Sequence, residues 1–469
     1  MIRVFARRTL TLLACVTGTL AAQTPANRAE ERGVLAELVN INSSSGTLGV
    51  QRIGRVIAAR LRAAGFAAAD VQLLGPTPTL TALAIRYRGK PSGKKPILLM
   101  AHMDVVTALA SDWTRPPFTF SETDGFYYGR GVEDNKAGVA AIVATFMRWK
   151  RAGWVPDRDL IAVLTADEET DGNSMRWMIR NHPELFTVEF ALNTDAGGVP
   201  LEKGKALGVS LQASEKVYAD FTLESLNAGG HSSIPRADNA IYELAAGLSK
   251  LGAFQFPVRL NEVSTAFFRE SAASQAPALA EAMRAVAGGH ADSASVAVLT
   301  AADPYFNSVL RTTCVATRLA GGHADNALPQ RATALVNCRM LPDDPVDSVM
   351  AVLQRVVGPK VKVIRTREVV PSPASPLRAD VVSAMTAMSK TFFGAAPVVP
   401  EMSTGATDGV FTRNVGIPTY GVGALSGERS EASRAHGRDE RIGVESFHTS
   451  VAFWEQLIRQ LAGPVAAVP

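Results

Sequence analysis

The sequence predicts an α/β fold in which a mostly parallel central sheet is flanked by helices and a smaller α+β unit is inserted. Three observations lead there. From residue 28 to about 210, helix-like and strand-like stretches alternate, the pattern of a layered domain around a parallel sheet. After about 210, strand-like stretches alternate apolar and polar residues, as half-exposed antiparallel strands do. From about 371 the chain returns to helix, loop and apolar strand. With 469 residues and 47% hydrophobic content, there is apolar side chain for more than one core.

The elements follow in chain order. "RVIAARLRAAGF" repeats its apolar residues at helical spacing, and "KPILLMAHMDVV" is a continuous apolar strand with a polar exit. "NKAGVAAIVATFMRWKRAG" is a helix, "RDLIAVLTADEE" a second apolar strand with a polar exit, and "NSMRWMIRNH" another helix. In the insert, "YADFTLESL" and "RATALVNCRML" alternate as strands around the helical "NAIYELAAGLSKL". The Ala-rich stretch from about 255 to 310 is partly helical and its place is left open. "REVVPSPASPL" is a Pro-rich connection. The last part holds the helix "DVVSAMTAMSKTFF", the loop "STGATDG", the strand "IPTYGVG" and a final helix. The bounds so drawn are 27–210 and 371–465 for the larger domain and 211–370 for the insert.

The N-terminus "MIRVFARRTLTLLACVTGTLAAQTPA" has arginines before a short apolar run and then small residues, the form of a secretory signal over 1–22. That places the protein in the periplasm or outside the cell. "LLAC" at Cys15 fits a lipoprotein box poorly, so anchoring there is a secondary reading. No later segment has 18 uninterrupted apolar residues, so no membrane span is expected in the mature chain. Loss of three arginines with the signal takes the net charge from +4 to +1. Without a basic stripe interleaved with aromatics, nothing supports a nucleic-acid partner. Cys314 and Cys338 lie in strand-like runs and could pair if those strands are neighbours, but two buried free thiols is the reading preferred.

Potential chemistry gathers at strand exits and loops. In "HMD", His102 and Asp104 share a face if the chain stays extended. Asp134 opens a helix in "GRGVEDNKAG", where an ordinary cap is the plainer reading. Glu168 and Glu169 stand adjacent in "TADEETDG", Asp195 ends a strand in "NTDAGG", and His436 lies in "RAHGRDER". Mixed nitrogen and oxygen donors suit zinc, or cobalt or manganese. His182, His290, His323 and His448 match no ligand position and look like surface or capping residues.

With "DGFYYGRGVEDNKAG", "GGHSSIP", "NALPQRA", "STGATDGVF" and "AHGRDER" in order from about 98 to 443, the chain resembles the M20 family of dinuclear zinc peptidases and amidohydrolases. The insert would then be a lid and dimerisation domain. The resemblance implies two Zn²⁺ per subunit bridged by Asp134, one held also by His102 and Asp195, the other by Glu169 and His436. Asp104 would accept a hydrogen bond from the His102 ring. Glu168, adjacent to a ligand but free itself, would be the general base. A cis peptide is expected at Asp134–Asn135.

The resemblance further implies that His231 stabilises an oxyanion, often from the partner subunit's lid, and that Asn326 and Arg339 hold the substrate's backbone or carboxylate. Gly405, with Thr407 and Asp408, would form a wall of the cleft. The expected activity is hydrolysis of an amide bond in short peptides or N-acyl amino acids, of carboxypeptidase type and nearest the carboxypeptidase-S-like branch. An aminoacylase, a small-metabolite deacetylase and an aminopeptidase are alternatives on the same site. A non-catalytic binding protein is disfavoured because every ligand and the base are retained. A homodimer through the lid is implied, although this insert is longer than the minimal family lid.

Overall fold

The computed structural model describes residues 24–431 and 433–463; the expected signal segment, with Cys15, lies outside them. At its centre, strands Ile97–His102, Leu160–Thr165, Phe190–Glu202 and Thr419–Glu428 run parallel to their neighbours. Across the sheet the order is Val71–Leu74, Ala82–Tyr87, Leu160–Thr165, Ile97–His102, Phe190–Glu202, Thr419–Glu428, Val209–Glu215 and Val398–Ser403. The first two strands and the contact between Thr419–Glu428 and Val209–Glu215 are antiparallel, so the sheet is mixed at its sides.

Continuous apolar strands form here because both faces are covered. Ile97, Leu99 and Ala101 enter the core beneath helices Pro25–Val39, Lys136–Arg151 and Val444–Ala462, whereas Leu98 and Met100 pack with Met175 and Met178 on the other face. The strands Ile97–His102 and Leu160–Thr165 end side by side, His102 paired with Thr165, and the polar exits of the sequence collect there.

The insert forms an antiparallel sheet in the order Thr313–Gly321, Arg331–Met340, Val217–Leu226, Lys362–Arg365. Helices Ala240–Ala253 and Val346–Val357 bury their apolar stripes on one face, giving it a core of its own around Phe221, Leu244, Val336 and Leu353. Gly230–His231 and Ala327–Leu328 pair as a separate two-stranded ribbon. The Ala-rich stretch becomes four helices between Glu262 and Leu310, and Phe268, Met283 and Phe306 join the core of the large sheet rather than that of the insert.

The preference for free thiols is overturned. Cys314 and Cys338 face one another across neighbouring strands and form a disulfide. His448 is also not a surface residue: it is buried between Glu31 and the Tyr127 hydroxyl, with Nδ1 2.6 Å from Glu31 and Nε2 3.1 Å from Tyr127. Among the described residues, no helix is long and apolar enough to cross a membrane.

Candidate metal centre and substrate cavity

His102 is the last residue of its strand and is buried. Its Nδ1 donates to the Asp104 backbone carbonyl at 3.0 Å, which leaves the Nε2 lone pair pointing outward. That nitrogen lies 2.9 Å from Asp134 Oδ1 and 3.2 Å from Asp195 Oδ1. The second carboxylate oxygen of Asp134 is 3.1 Å from His436 Nε2, which is in turn 2.9 Å from Glu169 Oε2. Two donor groups therefore meet at one carboxylate: His102, Asp134 and Asp195, and Asp134, Glu169 and His436. Each could hold a metal ion.

The donor set itself argues for cations. Lone-pair-bearing atoms converge on both sides of Asp134, and Glu169 Oε1 is buried without a hydrogen-bond partner. Burial raises the Glu169 carboxyl to about 7 and that of Asp195 to about 6, with the Asp134 charge adding to both. Burial and the Asp195 charge also push Glu168 well above the usual carboxylate range. The hydrogen bond to Asp134, then the Glu169 charge, raises His436 to about 9. Burial pulls His102 down, but the Asp195 charge and its hydrogen bonds outweigh it, and the ring is held well above its ordinary value. Carboxylates and imidazoles gathered this closely hold protons when no ion is bound, and divalent cations would take the place of those protons.

The turn after Leu160–Thr165 explains the paired glutamates. The Asp104 carboxylate accepts the backbone N–H groups of Glu168 at 3.2 Å and Glu169 at 3.0 Å. Asp167 accepts those of Asn173 at 2.6 Å and Ser174 at 2.8 Å, tying the turn to the following helix. Held at both ends, the turn sends Glu169 to Asp134 and His436, while Glu168 Oε2 stands 4.0 Å from His102 Nε2. The Asp104 carboxylate also lies 3.5 Å from His102 Nδ1 and helps to raise the ring, so Asp104 faces His102 and the glutamate turn together, with its backbone carbonyl as a second acceptor for the ring.

A pair that the sequence reading passed over locks the other side. Glu440, wholly buried, accepts Arg130 at 2.7 Å and the backbone N–H groups of Gly131, Glu133 and Asp134 at 2.9, 2.8 and 3.1 Å. Arg130 also donates to the carbonyls of His436 at 3.2 Å and Gly437 at 3.0 Å. One buried ion pair thus sets the Asp134 loop and the His436 loop in register, and His436 is held at a left-handed φ of 62°. The clue was an acid in "RDER" close behind His436, but adjacent charges in a loop read as surface. The Asp134–Asn135 peptide is cis, as expected.

A cavity of about 830 Å³ opens over these groups, lined by Asp134, Glu168, Glu169, Asp195 and His436. Arg339, Arg367, Gly405 and Thr407 also line it, as does Lys216, whose Nζ donates to the carbonyls of Arg311 and Arg339 and is pulled down to about 7 by burial. Arg339 donates to the Thr404 carbonyl at 3.1 Å and stacks 4.8 Å from the Tyr218 ring centre. Asp408 is buried beside the cavity and accepts the Thr165 hydroxyl. His231 and Asn326 are not brought to this cavity. They lie exposed on the short ribbon, where the Ser232 N–H donates to the Asn326 carbonyl at 3.0 Å.

Residues 98–460 match the model of peptidase family M20/M25/M40. The chain is 27% identical to "Probable carboxypeptidase S-like 2" of Dictyostelium discoideum, over 80% of this chain and 74% of that one. It is 28% identical to the human "N-fatty-acyl-amino acid synthase/hydrolase PM20D1", over 79% of this chain and 75% of the other. Among solved structures, the M20 family metallo-carboxypeptidase Sso-CP2 of Sulfolobus solfataricus shares the fold, with a TM-score of 0.68, 19% identity and coverage of 92% and 98%. Human carnosine dipeptidase 1 does so with a TM-score of 0.64, 17% identity and coverage of 94% and 97%.

Proposed function

This chain belongs to peptidase family M20/M25/M40, and from that premise we propose that it hydrolyses the amide bond beside a free carboxylate in short peptides or N-acyl amino acids. One observation carries the reading. Two donor groups share Asp134 in a cavity that Glu168, Arg339 and Arg367 also line. Cationic side chains suit the substrate carboxylate, and Arg339 suits it best because its planar fork can meet both oxygens.

His102, Asp134 and Asp195 would hold one ion, and Asp134, Glu169 and His436 the other. Zinc is the assignment, with cobalt or manganese also compatible with these donors. The bound pair would supply Lewis acidity, making water a nucleophile near neutral pH and polarising the scissile carbonyl. Glu168 takes the proton of the attacking water on its carboxylate and hands it to the departing amide nitrogen. Asp104 acts through the turn: its bonds to the two glutamate N–H groups hold Glu168 and Glu169 in place beside Asp134 and His436. Arg130 and Glu440 keep His436 and Asp134 in reach of one another.

His231 and Asn326 enter this reading as groups supplied by a second copy. The strand Thr313–Gly321 is an open edge of the insert's sheet and exposes Val315 and Leu319, which supports a homodimer paired there. His231 would then donate to the oxyanion and Asn326 to the substrate backbone. A periplasmic or secreted location is supported by the signal-like N-terminus and the Cys314–Cys338 disulfide.

The test is mass spectrometry of mixed short peptides and N-acyl amino acids incubated with the zinc-loaded mature protein. Loss of C-terminal residues, or release of amino acids from N-acyl substrates, is expected. Loss of N-terminal residues would keep the metal chemistry and overturn the carboxylate assignment. No cleavage with zinc bound would sink the reading.

A further inference from the structure

Tyr218 and Arg339 stand directly opposite one another on neighbouring strands of the insert, and both line the substrate cavity. Two residues on, Asp220 faces Asn337 in the same way. Alternation puts these four side chains on one face of the sheet, while the residues between them fill the core behind it. We propose that Tyr218 is a positioning residue for the substrate carboxylate: its ring carries the Arg339 guanidinium, and its hydroxyl keeps Asp220 from neutralising that cation. The inference rests on the amide-hydrolase reading and deepens it by naming what leaves Arg339 free for the substrate.

Arg339 is held on three sides without meeting an acid. Its backbone carbonyl accepts Lys216 Nζ at 3.1 Å, and its Nη1 donates to the Thr404 carbonyl at 3.1 Å. The guanidinium carbon lies 4.8 Å from the Tyr218 ring centre, within cation–π range. Among the described residues no carboxylate pairs with Arg339, and a half-buried cation without a counter-charge is ready for an incoming anion.

Asp220 is the acid that would neutralise it. Its side chain is buried, and its charge acts on Arg339. Both oxygens are engaged elsewhere: Oδ2 accepts the Tyr218 hydroxyl and Oδ1 the Asn337 amide, each at 2.9 Å. Asn337 alone would hold one oxygen and leave the other to turn to Arg339. The Tyr218 hydroxyl closes that option, and the same residue supplies the ring over which the guanidinium lies. Phenylalanine at this position would keep the stacking and lose the diversion; an aliphatic residue would lose both.

The test sets N-acetylphenylalanine against its carboxamide with zinc-loaded wild type and variants, reading cleavage of the acetyl amide. Wild type is expected to favour the acid in kcat/KM by about tenfold or more, and Arg339→Met to lose most of that ratio. Tyr218→Phe should lower the ratio about fivefold through KM of the acid, with kcat held. Adding Asp220→Asn to Tyr218→Phe removes the freed charge and should restore the ratio. Tyr218→Leu should fall further, because the ring goes too, and Asp220→Asn should restore it only in part. A side chain that merely props the fold would lower acid and amide alike. A wild type without preference, an unchanged ratio in Tyr218→Phe, equal losses on the two compounds, or no recovery with Asp220→Asn overturns the proposal. If neither compound is hydrolysed, the amide-hydrolase reading falls, and calorimetric titration with the acid and the carboxamide reads the same ratio as affinities. A loss in Tyr218→Phe that Asp220→Asn restores then upholds the role of Tyr218, and equal affinities in all variants overturn it. No loss in Arg339→Met by either readout ends both the carboxylate assignment and the role of Tyr218.

Discussion

The metal centre and the ribbon that carries His231 are assigned to one reaction but are built in opposite ways. At the centre, His102 ends its strand, Asp195 lies within Phe190–Glu202 rather than at the strand end expected, and the other donors sit in turns and loops fastened by buried acids: Asp104 holds the Glu168–Glu169 turn, and Glu440 holds the Asp134 and His436 loops. The ribbon is two residues on each side, and His231 is exposed, its Nδ1 2.7 Å from the Ser233 hydroxyl. A preorganised site keeps its geometry without substrate, whereas an exposed ribbon gains its role when something docks on it. The two regions should therefore answer mutation differently, the centre through metal and fold, the ribbon through turnover alone.

The largest effect should separate the adjacent glutamates. Glu168→Ala should lower kcat by about a thousandfold or more while keeping metal, because it removes a base and no ligand. His436→Ala should lose metal as well as activity. Metal analysis of the two variants decides, and equal metal loss in both would end the division of roles.

Next comes the buried ion pair. Glu440→Ala leaves the Arg130 guanidinium, almost wholly buried, without its partner, at a cost of about 3–5 kcal/mol. It also frees three backbone N–H groups of the Asp134 loop. Thermal unfolding should drop by several degrees, and the second metal should bind more weakly. A variant with wild-type stability and metal affinity would show that the two loops are fastened elsewhere.

A smaller loss is expected at Asp104. Asp104→Asn keeps one carbonyl oxygen for the turn, so of the two glutamate N–H bonds one survives, and kcat should fall about 10- to 100-fold. The His102 ring also donates to the Asp104 backbone carbonyl, which Asn leaves in place, so metal at the His102 side should remain. Loss of that metal would make the carboxylate the group that orients the ring.

How much of this was legible follows from where each signal resides. "KPILLMAHMDVV" and "RDLIAVLTADEE" announced strands because both sheet faces are covered, and apolar runs with polar exits put His102 and the glutamate pair at one edge. That is local information. The disulfide was not legible because it depends on which strands are neighbours and in what register, a property of two distant segments. Glu440 was missed because an acid among arginines has the composition of a surface loop, and only the fold buries it under Asp134. The helices between Glu262 and Leu310 lie within the insert's stretch of sequence but pack on the large sheet, and that choice is set by the Val398–Ser403 edge on which the first of them, Glu262–Ser271, packs, far downstream in the sequence.

The smallest effect is expected at the ribbon, and it carries the comparison furthest. His231→Ala touches no ligand, no buried hydrogen bond and no core contact, so metal content and unfolding temperature should stay as in wild type. If a second copy brings His231 over the cavity, kcat should fall about tenfold or more, since a single oxyanion donor is worth at least that, with KM little changed. The loss should also depend on assembly. Val315→Asp and Leu319→Asp place charges on the open edge strand, and in the monomers they produce, kcat should already be low and His231→Ala should lower it no further. Full activity in a monomer would mean that the centre works without the ribbon, and His231 would then be an exposed histidine with no part in the reaction.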